Sequence, residues 1–171
     1  MKSLVLTLVY AALVFAFASG EDTPLALEAN GSNGFTPAIK FTIQLANATN
    51  LCLDDGGAIG GRFWVQPCTN SSDQVFVYDN KTDLIHSASK VNACVAFNPA
   101  GDIITMTCDD SSFMQHFAFN TTTQQIQVAR SPVLCFDSGA GDIPTPNTSV
   151  HIEQCSPSLD KRFLFKPVAN E

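Results

Sequence analysis

The sequence predicts an all-β fold in which three copies of a module of about 40 residues close one barrel. Cysteines mark the copies, because Cys52, Cys94 and Cys135 follow one another at intervals of 42 and 41 residues. Within each copy, apolar and polar residues alternate with a period of two, which is the period of a strand. Since three units are too few blades for a propeller, the pattern favours a threefold barrel with four strands per copy.

The N-terminal residues predict a leader for secretion. Lys2 precedes an apolar run over residues 4–17, and the small residues Ala16, Ala18 and Gly20 lie at its end. A charged start, an apolar centre and small residues at the end are typical of a signal peptide. The run is shorter than the roughly 20 residues of a bilayer-spanning helix. We therefore expect residues 1–18 (or 1–20) to be removed, and a secreted, extracellular protein without a membrane span.

The rest of the chain divides into an arm and one domain. Residues 19–40 contain Gly and Pro without periodicity and predict a linker or flexible arm. Residues 41–167 predict the domain, with about twelve short strands in all. Its repeats are expected at 41–80, 83–120 and 124–167. The strands of the first repeat are expected at 41–46, 51–54, 62–67 and 75–79.

Apolar residues recur at the same register in all three copies, which predicts a shared core. The recurring positions are Ile43, Ile85 and Ile126 before the first cysteine, and Phe63, Ile103 and Val150 before the second. Each repeat also ends with an aromatic residue, one intervening residue and a second aromatic residue, first seen at Phe76 and Tyr78. A chance match at so many registers is improbable.

The first repeat resembles a repeat of the ricin-B lectins, which carry Cys-x-Asp, a second cysteine and Gln-x-Trp. The matching phrases are Leu51-Cys52-Leu53-Asp54, Val65-Gln66-Pro67-Cys68 and Asp73-Gln74-Val75-Phe76. The resemblance implies a β-trefoil with one disulfide inside each repeat. The implied pairs are Cys52–Cys68, Cys94–Cys108 and Cys135–Cys155. Gln-x-Trp has become Gln-x-Phe in the first two repeats, and Lys161-x-Phe163 in the third.

The first repeat carries the residue types that bind a sugar, namely a carboxylate for hydroxyl groups and an aromatic face for C–H groups. The resemblance makes Asp54 the hydroxyl acceptor, with Asp73 and Gln74 beside it. Trp64 and Gln66 share one strand face by parity, opposite Phe63 and Val65, although their order is the reverse of that in ricin. The alternative is that Trp64 is a core residue and Asp54 a turn residue.

The other two repeats are predicted to differ. Repeat two carries Ala96 in place of the carboxylate and is expected to be structural. Repeat three keeps Asp137, and His151 could serve as a smaller platform. Asp160 takes the position of Asp73, but Lys161 replaces the Gln and puts the third site in doubt.

These features predict a secreted lectin-like protein that binds glycans or glycoproteins, with a galactose-type ligand implied by the resemblance alone. A protein-binding trefoil, such as a protease inhibitor acting through its loops, is the alternative. The net charge of −7 argues against nucleic acid as a partner. Nothing in the sequence predicts an enzyme, a metal site or a cofactor. N-x-S/T sequons predict glycosylation at Asn30, Asn47, Asn70, Asn80, Asn120 and Asn147.

Overall fold

Twelve strands and three single-turn 3-10 helices make up the described part of the chain. A computed structural model describes residues 40–79, 81–139, 141 and 143–169. The predicted leader and the arm up to residue 39 lie outside the described residues, as do the sequons at Asn30 and Asn80. The strands are β1 (Lys40–Leu45), β2 (Ala48–Asp54), β3 (Trp64–Pro67), β4 (Phe76–Asp79), β5 (Leu84–Ser87), β6 (Ala93–Phe97), β7 (Ile103–Thr107), β8 (Phe117–Asn120), β9 (Gln125–Val128), β10 (Ser131–Asp137), β11 (His151–Gln154) and β12 (Phe163–Pro167).

Six of the strands form a barrel that closes on itself. β1 pairs antiparallel with both β12 and β4, β4 pairs with β5, and β8 pairs with β9. A bridge between Leu84 and His116 joins β5 to the start of β8. The amide of Phe163 donates to the carbonyl of Gln124 at 2.7 Å and joins β12 to the start of β9. The ladder therefore returns to the strand from which it began, as a barrel requires.

The remaining six strands form three hairpins, β2–β3, β6–β7 and β10–β11. A ring of backbone hydrogen bonds ties the hairpins together. Phe63 donates to Ile103 at 2.9 Å, Ile103 donates to Val150 at 3.1 Å, and Val150 donates to Phe63 at 3.0 Å. These three residues occupy one register of the sequence pattern, so the ring gives the hairpins a threefold arrangement. The predicted all-β trefoil fold is confirmed.

The recurring apolar residues form one core. Ile43, Ile85 and Ile126 are at most 3 % exposed, and Phe76, Phe117 and Phe163 at the repeat ends are equally buried. The phenylalanine rings pack against neighbouring rings edge to face or stacked, and those of Phe63 and Phe76 stack with centroids 5.6 Å apart. Such contacts add to the stabilisation from burial alone. The described part of the chain has no helix with the length and hydropathy to cross a membrane.

Disulfides and short helices fix the outer edge of each hairpin. The disulfides join Cys52 to Cys68, Cys94 to Cys108 and Cys135 to Cys155, which are the pairs that the resemblance implies. A 3-10 turn then precedes the last strand of each repeat, at Ser72–Gln74, Phe113–Gln115 and Leu159–Lys161. The strand periodicity did not predict these turns. Each one buries its last residue, namely Gln74, Gln115 or Lys161, against the hairpin.

Candidate functional site

The first repeat places a carboxylate beside an exposed aromatic ring. Asp54 at the end of β2 lies directly opposite Trp64 at the start of β3. Side chains of opposite residues project from the same face, with Cβ atoms roughly 5 Å apart. Phe63 and Val65 point into the core and are fully buried, whereas Trp64 is 36 % exposed. The strand parity expected from the sequence therefore holds, and Trp64 is not a core residue.

Gln74 holds the Asp54 carboxylate in place. Its Nε2 donates to Asp54 Oδ2 at 3.2 Å and to the Pro67 carbonyl at 2.9 Å. Its Oε1 accepts the backbone amide of Thr69 at 2.8 Å. Because Gln74 is only 2 % exposed, it acts by positioning Asp54 and does not line the surface itself. The donors to this carboxylate, Gln74 Nε2 and the Gly56 amide, are neutral and leave the carboxylate oxygens with lone pairs for further hydrogen bonds.

A glycine turn brings the loop after β2 close to the tryptophan. The amide of Gly56 donates to Asp54 Oδ1 at 3.0 Å, and Gly56 has φ +67°. A side chain there would be strained, and its Cβ would lie 3.0 Å from the Arg62 carbonyl and 3.9 Å from Trp64 Cδ1. The glycine therefore lets the Asp54 turn pack against the strand that carries the ring. We call the face formed by Asp54, Trp64 and Gln66 the repeat-one site.

Asp73 lies across the turn and is partly neutralised by a lysine. Its Oδ2 is 3.4 Å from the position that a Cβ on Gly57 would take, which places it at the rim of the site. Its Oδ1 lies 3.8 Å from Lys90 Nζ. The same ammonium donates to the fully buried Asp55 at 2.5 Å. Sequence reasoning missed Asp55 and Lys90, because nothing local links residues 35 positions apart.

Gln66 borders a segment of the third repeat. Its Nε2 donates to Asn147 Oδ1 at 3.0 Å. The amide of Val65 donates to the Thr148 carbonyl, and the amide of Asn147 donates to the Val65 carbonyl, both at 2.8 Å. The segment around residues 147–149 therefore lies along β3 and forms one wall of the repeat-one site.

Repeat two keeps the scaffold of the site without its chemistry. Gln115 donates to the Thr107 carbonyl at 2.9 Å and accepts the Asp109 amide at 2.9 Å, as Gln74 does with its own neighbours. At the position of the carboxylate, however, Ala96 is fully buried and lies opposite Ile104. The face offers hydroxyl groups neither a carboxylate nor an aromatic partner.

Repeat three places its carboxylate in an ion pair. Asp137 is 3 % exposed, and the Lys161 ammonium bonds directly to its Oδ2. Lys161 also donates to Glu153 Oε2 at 3.1 Å, and the Gly139 amide donates to Asp137 Oδ1 at 2.6 Å. Burial lowers the pKa of Lys161, while the two carboxylates favour its charged form. We call Asp137, His151, Glu153 and Lys161 the repeat-three cluster.

The predicted residues of the third site are only partly accessible. His151 lies opposite Asp137 and 3.1 Å from Glu153, with 31 % of its side chain exposed. One carboxylate oxygen of Asp160 is buried without a hydrogen-bond partner among the described residues. Each of Asp137 and Asp54 accepts from one backbone amide and one side chain, but Asp137 is almost fully buried and its side-chain partner is an ammonium, so it is the less accessible acceptor.

Two groups of potential metal ligands occur among the described residues. Ligand atoms of Asp137, His151 and Glu153 lie within 4.8 Å of one another, but Lys161 already contacts both carboxylates. A metal cation there would be placed against an ammonium group. His86 lies near the sulfur atoms of Cys94 and Cys108, which are joined in a disulfide and cannot act as thiolates. The expectation of no metal site stays a prediction.

Comparison with known families identifies the domain. The model of the ricin-type β-trefoil lectin domain matches residues 41–166, nearly three-quarters of the chain. The chain belongs to this family. No curated protein sequence matches this chain.

Solved structures share the fold of this lectin domain at low identity. The β-trefoil lectin of the Vibrio vulnificus hemolysin/cytolysin, solved with N-acetyl-D-lactosamine, superposes with a TM-score of 0.64 at 15% identity, covering 80% of this chain and 99% of that one. The earthworm R-type lectin C-half, solved with GalNAc, has a TM-score of 0.63 at 14% identity, covering 76% and 99%. GalNAc-T7, solved with UDP, GalNAc and Mn²⁺, has a TM-score of 0.58 at 15% identity, covering 73% of this chain but 22% of that chain.

Proposed function

We propose that this protein is a secreted lectin that binds one sugar residue at the repeat-one site and catalyses no reaction. The observation that carries the proposal is the accessible Asp54 carboxylate, held opposite the exposed ring of Trp64 by the buried Gln74. A sugar ring stacked on Trp64 would place its hydroxyl groups within reach of Asp54. Hydrogen bonds to a charged acceptor are the stronger ones, so Asp54 is expected to dominate affinity.

The ligand class follows from the same geometry and from the related lectins. An aromatic platform fits sugars with a continuous patch of C–H groups, and galactose-type rings present one. The Vibrio and earthworm lectins were solved with N-acetyl-D-lactosamine and with GalNAc, which both contain a ring of this type. We therefore propose terminal galactose or GalNAc on glycans or glycoproteins as the ligand. A single shallow site predicts a Kd on the order of millimolar for a monosaccharide.

The test is retention of the unglycosylated protein on immobilised galactose and GalNAc. Asp54→Ala should abolish retention, because the main hydroxyl acceptor is lost. Its melting temperature should stay near that of the wild type, since Asp54 is only half-buried. Asp110→Ala is the matched control, because it removes an equal charge from an exposed position in repeat two. Retention of Asp54→Ala at the wild-type level would rule out the repeat-one site.

A protein-binding role, acting through the loops of the trefoil, is the second candidate. Ile143 lies in the segment between β10 and β11 and is 79 % exposed. Single exposed aliphatic side chains are common on protein surfaces, so Ile143 serves as the position at which this loop is tested. If a glycan array with the secreted protein is blank and Ile143→Ser abolishes inhibition of a protease, the protein-binding role replaces the lectin role.

A further inference from the structure

The sequon at Asn147 lies against the repeat-one site. Asn147 Oδ1 accepts the hydrogen bond from Gln66 Nε2 at 3.0 Å, and Gln66 shares a strand face with Trp64 two residues away. Residues two apart on a strand are separated by roughly 7 Å. Ser149, the last residue of the sequon, lies directly opposite Trp64 itself. Any group attached to Asn147 therefore begins beside the predicted sugar-binding face.

The amide nitrogen of Asn147 is open to modification. The residue is exposed, and no described residue accepts a hydrogen bond from its Nδ2. Its φ of +65° is a conformation that Asn adopts more readily than most residues. Asn47 contrasts with it, because both polar atoms of its side chain are buried without a partner among the described residues. Exposure alone thus distinguishes the two sequons.

We propose that an N-linked glycan on Asn147 caps the repeat-one site in cis and weakens its binding of external sugars. In the modification, Asn147 Nδ2 forms a bond to C1 of the first N-acetylglucosamine of a lipid-pyrophosphate-linked oligosaccharide. The C1–O bond to the pyrophosphate breaks, and the amide loses one proton. Oδ1 remains free to accept from Gln66, so the hydrogen bond keeps the first sugar beside β3 and next to Trp64.

This inference rests on the proposed function and on passage through a glycosylating secretory pathway. The experiment compares wild type, Ser149→Ala and Thr122→Ala secreted from a glycosylating host. Ser149→Ala removes the sequon but keeps Asn147 and its bond to Gln66. Thr122→Ala is the matched control, because it removes the sequon of Asn120, the last residue of β8. Asn147→Gln is a second variant, should Ser149→Ala fold poorly.

Two measurements distinguish shielding of the repeat-one site by the Asn147 glycan from sugar binding at that site. Trp64 is the single tryptophan of the chain, so acrylamide quenching of its fluorescence measures access to the site without any sugar. Binding to a galactose column measures function. Glycopeptide mass spectrometry reports whether Asn147 is occupied.

The expected result is an occupied Asn147, with Trp64 protected from quenching in wild type and Thr122→Ala and accessible in Ser149→Ala. Ser149→Ala should also bind galactose at least about tenfold more tightly than the glycosylated wild type does. An unoccupied Asn147, or equal quenching in wild type and Ser149→Ala, would overturn the inference. If Trp64 is protected by the glycan but Ser149→Ala still binds no sugar, the cap is supported and the lectin function fails.

Discussion

Lys161 shows how one residue changes the use of a shared scaffold. Gln74 offers Asp54 a neutral donor, and the carboxylate stays partly exposed at the surface. Lys161 occupies the same position in repeat three and bonds to Asp137 and Glu153 with its ammonium. A buried ion pair of this kind holds both charges in fixed positions. With lysine at this position the carboxylate is part of an ion pair, whereas with glutamine it stays outside any ion pair and partly exposed.

Substitutions at Lys161 should reveal this structural role. Lys161→Met leaves Asp137 buried without its partner and should lower the free energy of unfolding by about 3–5 kcal/mol, measured by urea denaturation at pH 7. Lys161→Gln supplies a neutral donor, as Gln74 does, and should lower the free energy of unfolding by less than Lys161→Met. The deficit of Lys161→Met should shrink at acidic pH, because protonation removes the uncompensated charge. Equal stability of both variants and the wild type would contradict the assignment.

Local sequence patterns predicted some residues of the candidate site, whereas others are brought to it by contacts between residues far apart in sequence. The placement of Asp54 and Trp64 on one face could be predicted, because the Cys-x-Asp motif and strand parity are local signals. The pairing of Asp55 with Lys90 and that of Gln66 with Asn147 join residues 35 and 81 positions apart. No local pattern encodes such pairs. The same reason explains why Lys161 put the third site in doubt without revealing that its ammonium bonds to Asp137.

Among the secondary-structure elements, the strands of the hairpins could be predicted from the sequence, whereas the 3-10 turns could not. The strands were predictable because their alternating residues face either the core or solvent over several positions. The 3-10 turns are only three residues long and carry no periodicity. They matter because each one buries a side chain that bonds across the hairpin, as Gln74 and Gln115 do.

Gln74 and Gln115 form a natural matched pair for testing the turn. Both are buried and bond to one backbone amide and one carbonyl, but only Gln74 also contacts a carboxylate. Replacing either with Leu leaves those backbone groups without a partner and should cost about 1–3 kcal/mol in unfolding experiments. Retention on immobilised galactose should fall for Gln74→Leu and stay unchanged for Gln115→Leu. A similar loss of retention in both variants would mean that the effect is one of general stability.

In the molecule as a whole, the three repeats share the same core positions and backbone hydrogen bonds, but their outer faces carry different residues. The ring of hydrogen bonds through Phe63, Ile103 and Val150 needs only backbone groups and buried apolar side chains. The outer faces are free of that constraint. Repeat one has Asp54 opposite the exposed ring of Trp64, repeat two has Ala96, and repeat three holds Asp137 in an ion pair.

This divergence predicts one sugar per chain. Calorimetric or NMR titration of the unglycosylated protein with galactose should give a stoichiometry near one and a Kd on the order of millimolar. A chain with a single site cannot bridge two cells, so agglutination would require an oligomer, in which linked sites raise the avidity. Asp54→Ala should reduce the stoichiometry to zero. One sugar still bound to that variant would contradict the prediction. It would mean that the repeat-three cluster binds sugar, with the hydroxyl groups replacing the Lys161 ammonium as partners of Asp137.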